Sequence, residues 1–148
     1  SSMAEFSRHV EVQWTGGLMD GKGTAKAGSG AFDLPVTFPS RVGEPAGHTS
    51  PEELIAASHA ACYAMALNAT LGRKGAKAAT TRVVAKVTAD KGEAGIKIVA
   101  STLQVTVTGL EGMDAATFAE VAREAEGKCP VSNALRGSLR IDVEPTVA

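Results

Sequence analysis

Cysteine is scarce in this chain of 148 residues: there are two, Cys62 and Cys129, and no CxxC or paired-CxxC metal pattern joins them. The disulfide-scaffold class is thereby removed, and a chain of this length buries a core large enough to fold without staples. An excess of one charge is equally lacking, since 15 Lys and Arg stand against 16 Asp and Glu. No basic stripe is present to neutralise a run of phosphates, so nucleic acid is not an expected partner. The start has no basic segment leading into an apolar one. Ser1-Ser2-Met3 therefore does not read as a signal peptide; residues 1-2 read as a cloning remnant, and a cytoplasmic location is expected. No Ser nucleophile elbow, P-loop or dinucleotide glycine fingerprint occurs, and Gly21-Lys22-Gly23 reads as no more than a turn. Repeats, linkers and low-complexity segments are absent as well, which leaves one domain over residues 1–148.

What is present centres on the run Leu54 to Leu71, which carries no formal charge. About 20 apolar residues span a bilayer, but this run is Ala-rich and holds Ser58, His59, Asn68 and Thr70, which suits a helix surrounded by protein and not by lipid. Its start signal is clear: Ser50 as N-cap, Pro51 as the first helical residue and Glu53 completing a capping box, with Gly72 predicted to close the helix before Arg73 and Lys74. With alanine at 56, 57, 60, 61, 64, 66 and 69 the helix has no wide polar stripe, which points to a second subunit helping to cover it.

Around this helix the chain alternates in short pieces. His9 to Trp14 and Gly23 to Ala27 read as strands, and Phe32 to Phe38 as a third that Pro35 confines to an edge. A loop of breakers follows from Pro39 to His48. Thr80 to Ala89 and Ile96 to Thr108 form a hairpin, and the apolar parity of the second strand shifts between Ile98 and Leu103, which predicts a bulge near Ala100. Asp114 caps an amphipathic helix ending at Gly127, a short helical turn follows Cys129-Pro130, and Leu139, Ile141 and Val143 make a closing strand. The order predicts an α+β fold, mostly antiparallel.

The two thiols sit in different settings. Cys129 occupies an N-cap position before Pro130, where the positive end of a helix stabilises a thiolate, so local physics makes it the more acidic of the pair. For an isolated cysteine before proline, the favoured reading of Lys128-Cys129-Pro130 is an ordinary turn with a half-buried cysteine. Cys62, in an uncharged helix, stays protonated unless a cation is brought to it. Arg41 in the preceding loop is the candidate, with Glu52 orienting its guanidinium, although a first-turn carboxylate complementing the helix dipole also explains Glu52. His59 lies three residues before Cys62 on the same side of the helix and reads as a buried or interface histidine with one hydrogen bond. A zinc site from His59, Cys62 and Cys129 with Glu52 or His48 is the alternative, weakened because only one tight ligand pair exists.

The stretch Thr49-Ser50-Pro51-Glu52-Glu53-Leu54-Ile55-Ala56-Ala57-Ser58-His59-Ala60-Ala61-Cys62, with Met65-Ala66-Leu67 and Cys129-Pro130-Val131-Ser132, resembles the OsmC/Ohr family of thiol peroxidases. Pro-Glu-Glu-Leu and Ser-His-Ala-Ala-Cys, together with the position of Arg41, resemble the OsmC branch. The resemblance implies an OsmC-like fold with mostly antiparallel sheets around a long central helix, in an intertwined homodimer. It implies that Cys62 is the peroxidatic thiol and Cys129 the resolving one, reversing the local acidity argument, and that Arg41 and Glu52 polarise the thiolate. The expected activity is reduction of organic hydroperoxides, and more weakly of hydrogen peroxide, through a Cys62 sulfenic acid and a disulfide to Cys129, in oxidative-stress defence. No metal, flavin or haem is needed; the reductant is an outside dithiol, in this family typically a lipoylated protein. The competing expectation is a metal- or small-ligand-binding protein on the same fold, using His59, Cys62 and Cys129.

Overall fold

The computed structural model describes residues 4–148; the reading of residues 1–2 as a cloning remnant lies outside them. The chain forms two compact units, one ending at Pro51 and one spanning Glu52–Ala148.

In the first unit β1 (Val10–Thr15), β2 (Lys22–Ala27) and β3 (Asp33–Val36) form an antiparallel sheet in the order β1-β2-β3. Pro35 sits in an edge strand, as its missing N–H requires. Gly21-Lys22-Gly23 is not merely a turn: Lys22 and Gly23 open β2, and Gly23 pairs with Trp14 so closely that a Cβ there would lie 2.6 Å from the indole ring. The breaker-rich loop holds a short helix the sequence did not suggest, α1 (Phe38–Val42), whose Ser40 N–H donates to the Thr37 hydroxyl at 3.2 Å. Arg41 lies in its last turn.

The second unit carries α2 (Pro51–Arg73) from its second residue, then β4 (Thr80–Gly92), β5 (Gly95–Thr108), α3 (Ala115–Glu126), α4 (Pro130–Leu135) and β6 (Arg140–Val147). β4 and β5 pair antiparallel through a turn at Glu93-Ala94. The expected bulge is present: Thr88 faces Ala100 while Ala89 faces Ile98, so Val99 is the extra residue. β6 pairs parallel to β5, because the chain returns through α3 and α4 before laying it down. The α+β class with two small, mostly antiparallel sheets and one long helix stands, with this one parallel pair.

The core of this unit joins three surfaces. Tyr63, Leu67 and Leu71 recur every four residues along α2; Leu103, Val105 and Val107 line one face of β5; Phe118, Val121, Ala122 and Ala125 come from α3. Each fully buried Leu or Phe contributes about 1.5–3 kcal/mol of burial free energy. The rest of α2 is less covered: Met65 is 72% exposed. By length and composition α2 could cross a membrane, with a mean hydropathy of 1.3 and 28% of its apolar stretch buried; its Tyr63, Leu67 and Leu71 side is committed to the core.

The helix does not close at Gly72. It ends one turn later in a left-handed Gly75 (φ +73°), with Ala76 N–H donating to Leu71 O at 2.9 Å and Gly75 N–H to Gly72 O at 3.1 Å. A Cβ at either glycine meets nothing within 4 Å, so backbone preference alone decides each substitution. Gly75→Ala should therefore cost about 1–2 kcal/mol, whereas Gly72→Ala, inside the helix, should gain about 0.5–1 kcal/mol. Urea unfolding of the two variants checks this; equal signs would contradict the placement of the helix end.

Candidate functional site

Cys62 lies one helical turn beyond His59 on α2, and Cys129 caps α4. The local sequence explains the second placement: Pro130 needs no N–H partner at the first helical position, Cys129 is extended (φ −86°, ψ 112°), and its sulfur accepts the Ser132 N–H at 3.4 Å. The structure thus brings together the two cysteines that the sequence singled out. Both are free thiols, Cys62 half-buried and Cys129 fully buried, and Cys62 packs against the buried cluster that contains Cys129. Burial is the largest influence on Cys62 and pushes its thiol above the ordinary value; the Val131 N–H pulls the other way, and Cys129 adds to the rise. The expectation that this thiol needs a cation therefore has a physical basis in its own surroundings.

His59 is fully buried and makes two hydrogen bonds, not the single one expected. Its Nδ1 pairs with Ser101 Oγ on β5 and its Nε2 with Ser132 Oγ on α4, each at 2.7 Å. Burial lowers its pKa below the ordinary histidine value, against an opposing pull from the Glu126 carboxylate, so the ring is held neutral, with one nitrogen donating and the other accepting. Because both nitrogens are engaged, neither is open to a metal. Among the described residues no group of three or more His, Cys, Asp or Glu could hold a metal ion, so the zinc alternative lacks its ligand set. Nearby, Tyr63 donates to Ala122 O at 2.6 Å, and burial raises its pKa far above the usual phenol value, keeping it a neutral core group.

Ser101 and Ser132 were not among the residues picked out for chemistry. Ser132 stood in the Cys129-Pro130-Val131-Ser132 motif, which was the available signal. Ser101 had none beyond its place beside the parity break in its strand.

The other proposed residues are divided between the units. Arg41 belongs to the first, where it helps line an apolar cavity of about 270 Å³ with Trp14, Leu18, Val36 and Phe38. Glu52 opens the second, in the first turn of α2.

An α+β chain that packs one free cysteine against the buried cluster holding the other is a dithiol protein. A family model described as OsmC-like protein matches residues 43–144, and the chain belongs to that family. It is 37% identical over 135 residues to peroxiredoxin OsmC of Escherichia coli, covering 90% of this chain and 93% of that protein. It is 32% identical over 129 residues to an organic hydroperoxide resistance protein of Xanthomonas axonopodis pv. citri, covering 86% and 87%. Among solved structures, OhrB of Bacillus subtilis aligns with a TM-score of 0.72 at 28% identity over 93% of this chain and 97% of that one. An OsmC protein from Legionella pneumophila aligns at 0.73 and 24% identity over 99% of both, a likeness of fold.

The depressed His59 pKa makes stability pH-dependent. An unfolded histidine takes its proton near pH 6.5, the native one only at lower pH. The unfolded state therefore binds more protons in that interval, and stability that is complete above about pH 6.5 is lost as the pH falls towards the native value. The urea midpoint should drop between about pH 7.5 and pH 5.5, and His59→Gln should lose less over the same interval. Equal losses in both proteins would show that His59 is not the group responsible.

Proposed function

We propose that this chain is a cysteine-based peroxidase that reduces organic hydroperoxides, and more weakly hydrogen peroxide, in cytoplasmic defence against oxidative stress. The observation that carries this reading is that two free thiols share one site, Cys62 packing against the buried cluster that contains Cys129. The names of the relatives, peroxiredoxin and organic hydroperoxide resistance protein, support the same class.

In the proposed reaction the Cys62 thiolate attacks the distal peroxide oxygen. The O–O bond breaks, the alkoxide takes a proton and leaves as alcohol, and Cys62 becomes a sulfenic acid. Cys129 then attacks that sulfur; the S–S bond forms, the S–O bond breaks, and the departing hydroxide leaves as water with the thiol's proton. An external dithiol, in keeping with the family resemblance a lipoylated protein, reduces the disulfide by thiol exchange. Cys62 is the nucleophile because the partly exposed thiol is the one that peroxide can reach, whereas Cys129 is fully buried.

Arg41 is assigned to thiolate stabilisation and Glu52 to orienting that arginine. Two observations support this: burial alone disfavours the Cys62 thiolate, and Arg41 lines an apolar cavity suited to the alkyl group of a hydroperoxide. The functional species is assigned as a homodimer, supported by the exposed side of α2 around Met65.

Consumption of cumene hydroperoxide with dithiothreitol should vanish in Cys62→Ser, and unchanged turnover in that variant would sink the reading. Arg41→Ala should slow Cys62 oxidation about tenfold or more at neutral pH, as the loss of an adjacent opposite charge worth about 1–3 pKa units requires. A normal oxidation rate would remove Arg41 from the site.

A further inference from the structure

The peroxidase chemistry proposed above uses no histidine, yet His59 is fully buried and joins three elements that meet around the two thiols. We propose that His59 is a positioning residue for the resolving step: its bond to Ser132 holds the Cys129 thiol where it can close on Cys62. This assignment rests on the peroxidase reading and deepens it.

Three observations carry it. First, α4 has only six residues, too few to be stable by its own backbone bonds, so its position is set by what grips it. Secondly, the grips are unequal in place. At its far end Arg136 makes a two-pronged ion pair with Glu126 at 2.9 and 2.5 Å, while mid-helix Asn133 Nδ2 donates to Gly127 O at 3.1 Å, a bond within the chain's own turn into α4. At the cysteine end the side-chain anchor is Ser132 Oγ to His59 Nε2, on the same residue whose N–H reaches the Cys129 sulfur. Thirdly, His59 and Cys62 stand three residues apart on one rigid helix, so a single stiff path runs from Cys62 through His59 and Ser132 to Cys129. Disulfide formation needs sulfurs brought to about 2.05 Å with a defined dihedral, and a resolving helix free to drift loses that alignment.

The bond from His59 Nδ1 to Ser101 fixes the ring from the β5 side and has no direct hold on α4. The two nitrogens can be separated, because an asparagine amide reproduces the reach of Nδ1 and a glutamine amide that of Nε2. His59→Asn should keep the Ser101 bond and lose Ser132; His59→Gln should do the reverse. Each variant forfeits one buried hydrogen bond, so a merely structural histidine would make them equivalent.

The test reacts each protein with one equivalent of cumene hydroperoxide in the presence of dimedone. It measures Cys62–dimedone adduct against Cys62–Cys129 disulfide by mass spectrometry. His59→Asn should shift the partition about tenfold towards adduct, as should Ser132→Ala, while His59→Gln should stay within about threefold of the wild type, the scale expected for losing or keeping one buried hydrogen bond. An equal shift in the Asn and Gln variants, or none in either, would overturn the positioning role alone. A wild-type chain that yields neither adduct nor disulfide would overturn the peroxidase reading and this inference with it.

Discussion

The structure depends on a conflict at one atom. Cys62 packs against the buried cluster that holds the second thiol, and the burial that comes with this place disfavours the anion that the proposed chemistry requires. The backbone N–H of Val131, in the short helix that Cys129 caps, lowers the Cys62 pKa and gives partial relief. The remaining deficit is a demand for positive charge. In the proposed mechanism Arg41, with Glu52 beside it, is assigned to answer that demand.

The same helix serves packing and chemistry with different residues. Tyr63, Leu67 and Leu71 anchor α2 to the β5 and α3 core, which fixes the direction in which Cys62 projects. Cys129 is a member of that core cluster, so the second thiol is held by packing as well as by its cap. His59 adds a polar constraint inside this apolar setting. Buried and engaged at both nitrogens, it ties the helix to β5 and α4 at a point where drift of α4 would separate the sulfurs.

Much of this was legible in the residues where local chemistry decides the outcome. Pro51 opening α2, Asp114 capping α3 through the Thr117 N–H, Cys129 capping α4 and the bulge at Val99 all follow from capping rules or from strand parity. The errors lie where non-local or subtle backbone effects win. Gly72 looked like a helix end, but the left-handed conformation falls on Gly75, where the 71–76 closing bond is made. α1 was hidden because Pro39 reads as a breaker although it sits in a first turn that lacks N–H partners anyway. The parallel direction of β6 depends on the path of the chain through α3 and α4, which the strand's own residues do not encode. Of the site, the cysteine pair was legible from its motifs, whereas the Ser101 contact was not, since a serine within a strand gives no sign that a histidine 42 residues earlier will meet it.

The central claim is that Cys62 and Cys129 of one chain are a redox couple. Its most direct measurement is intact-mass and non-reducing peptide analysis after one equivalent of cumene hydroperoxide. The account predicts a monomer two hydrogens lighter, with its Cys62 and Cys129 peptides joined. Links found only between chains, or a Cys62 sulfinic acid beside an unmodified Cys129, would contradict it.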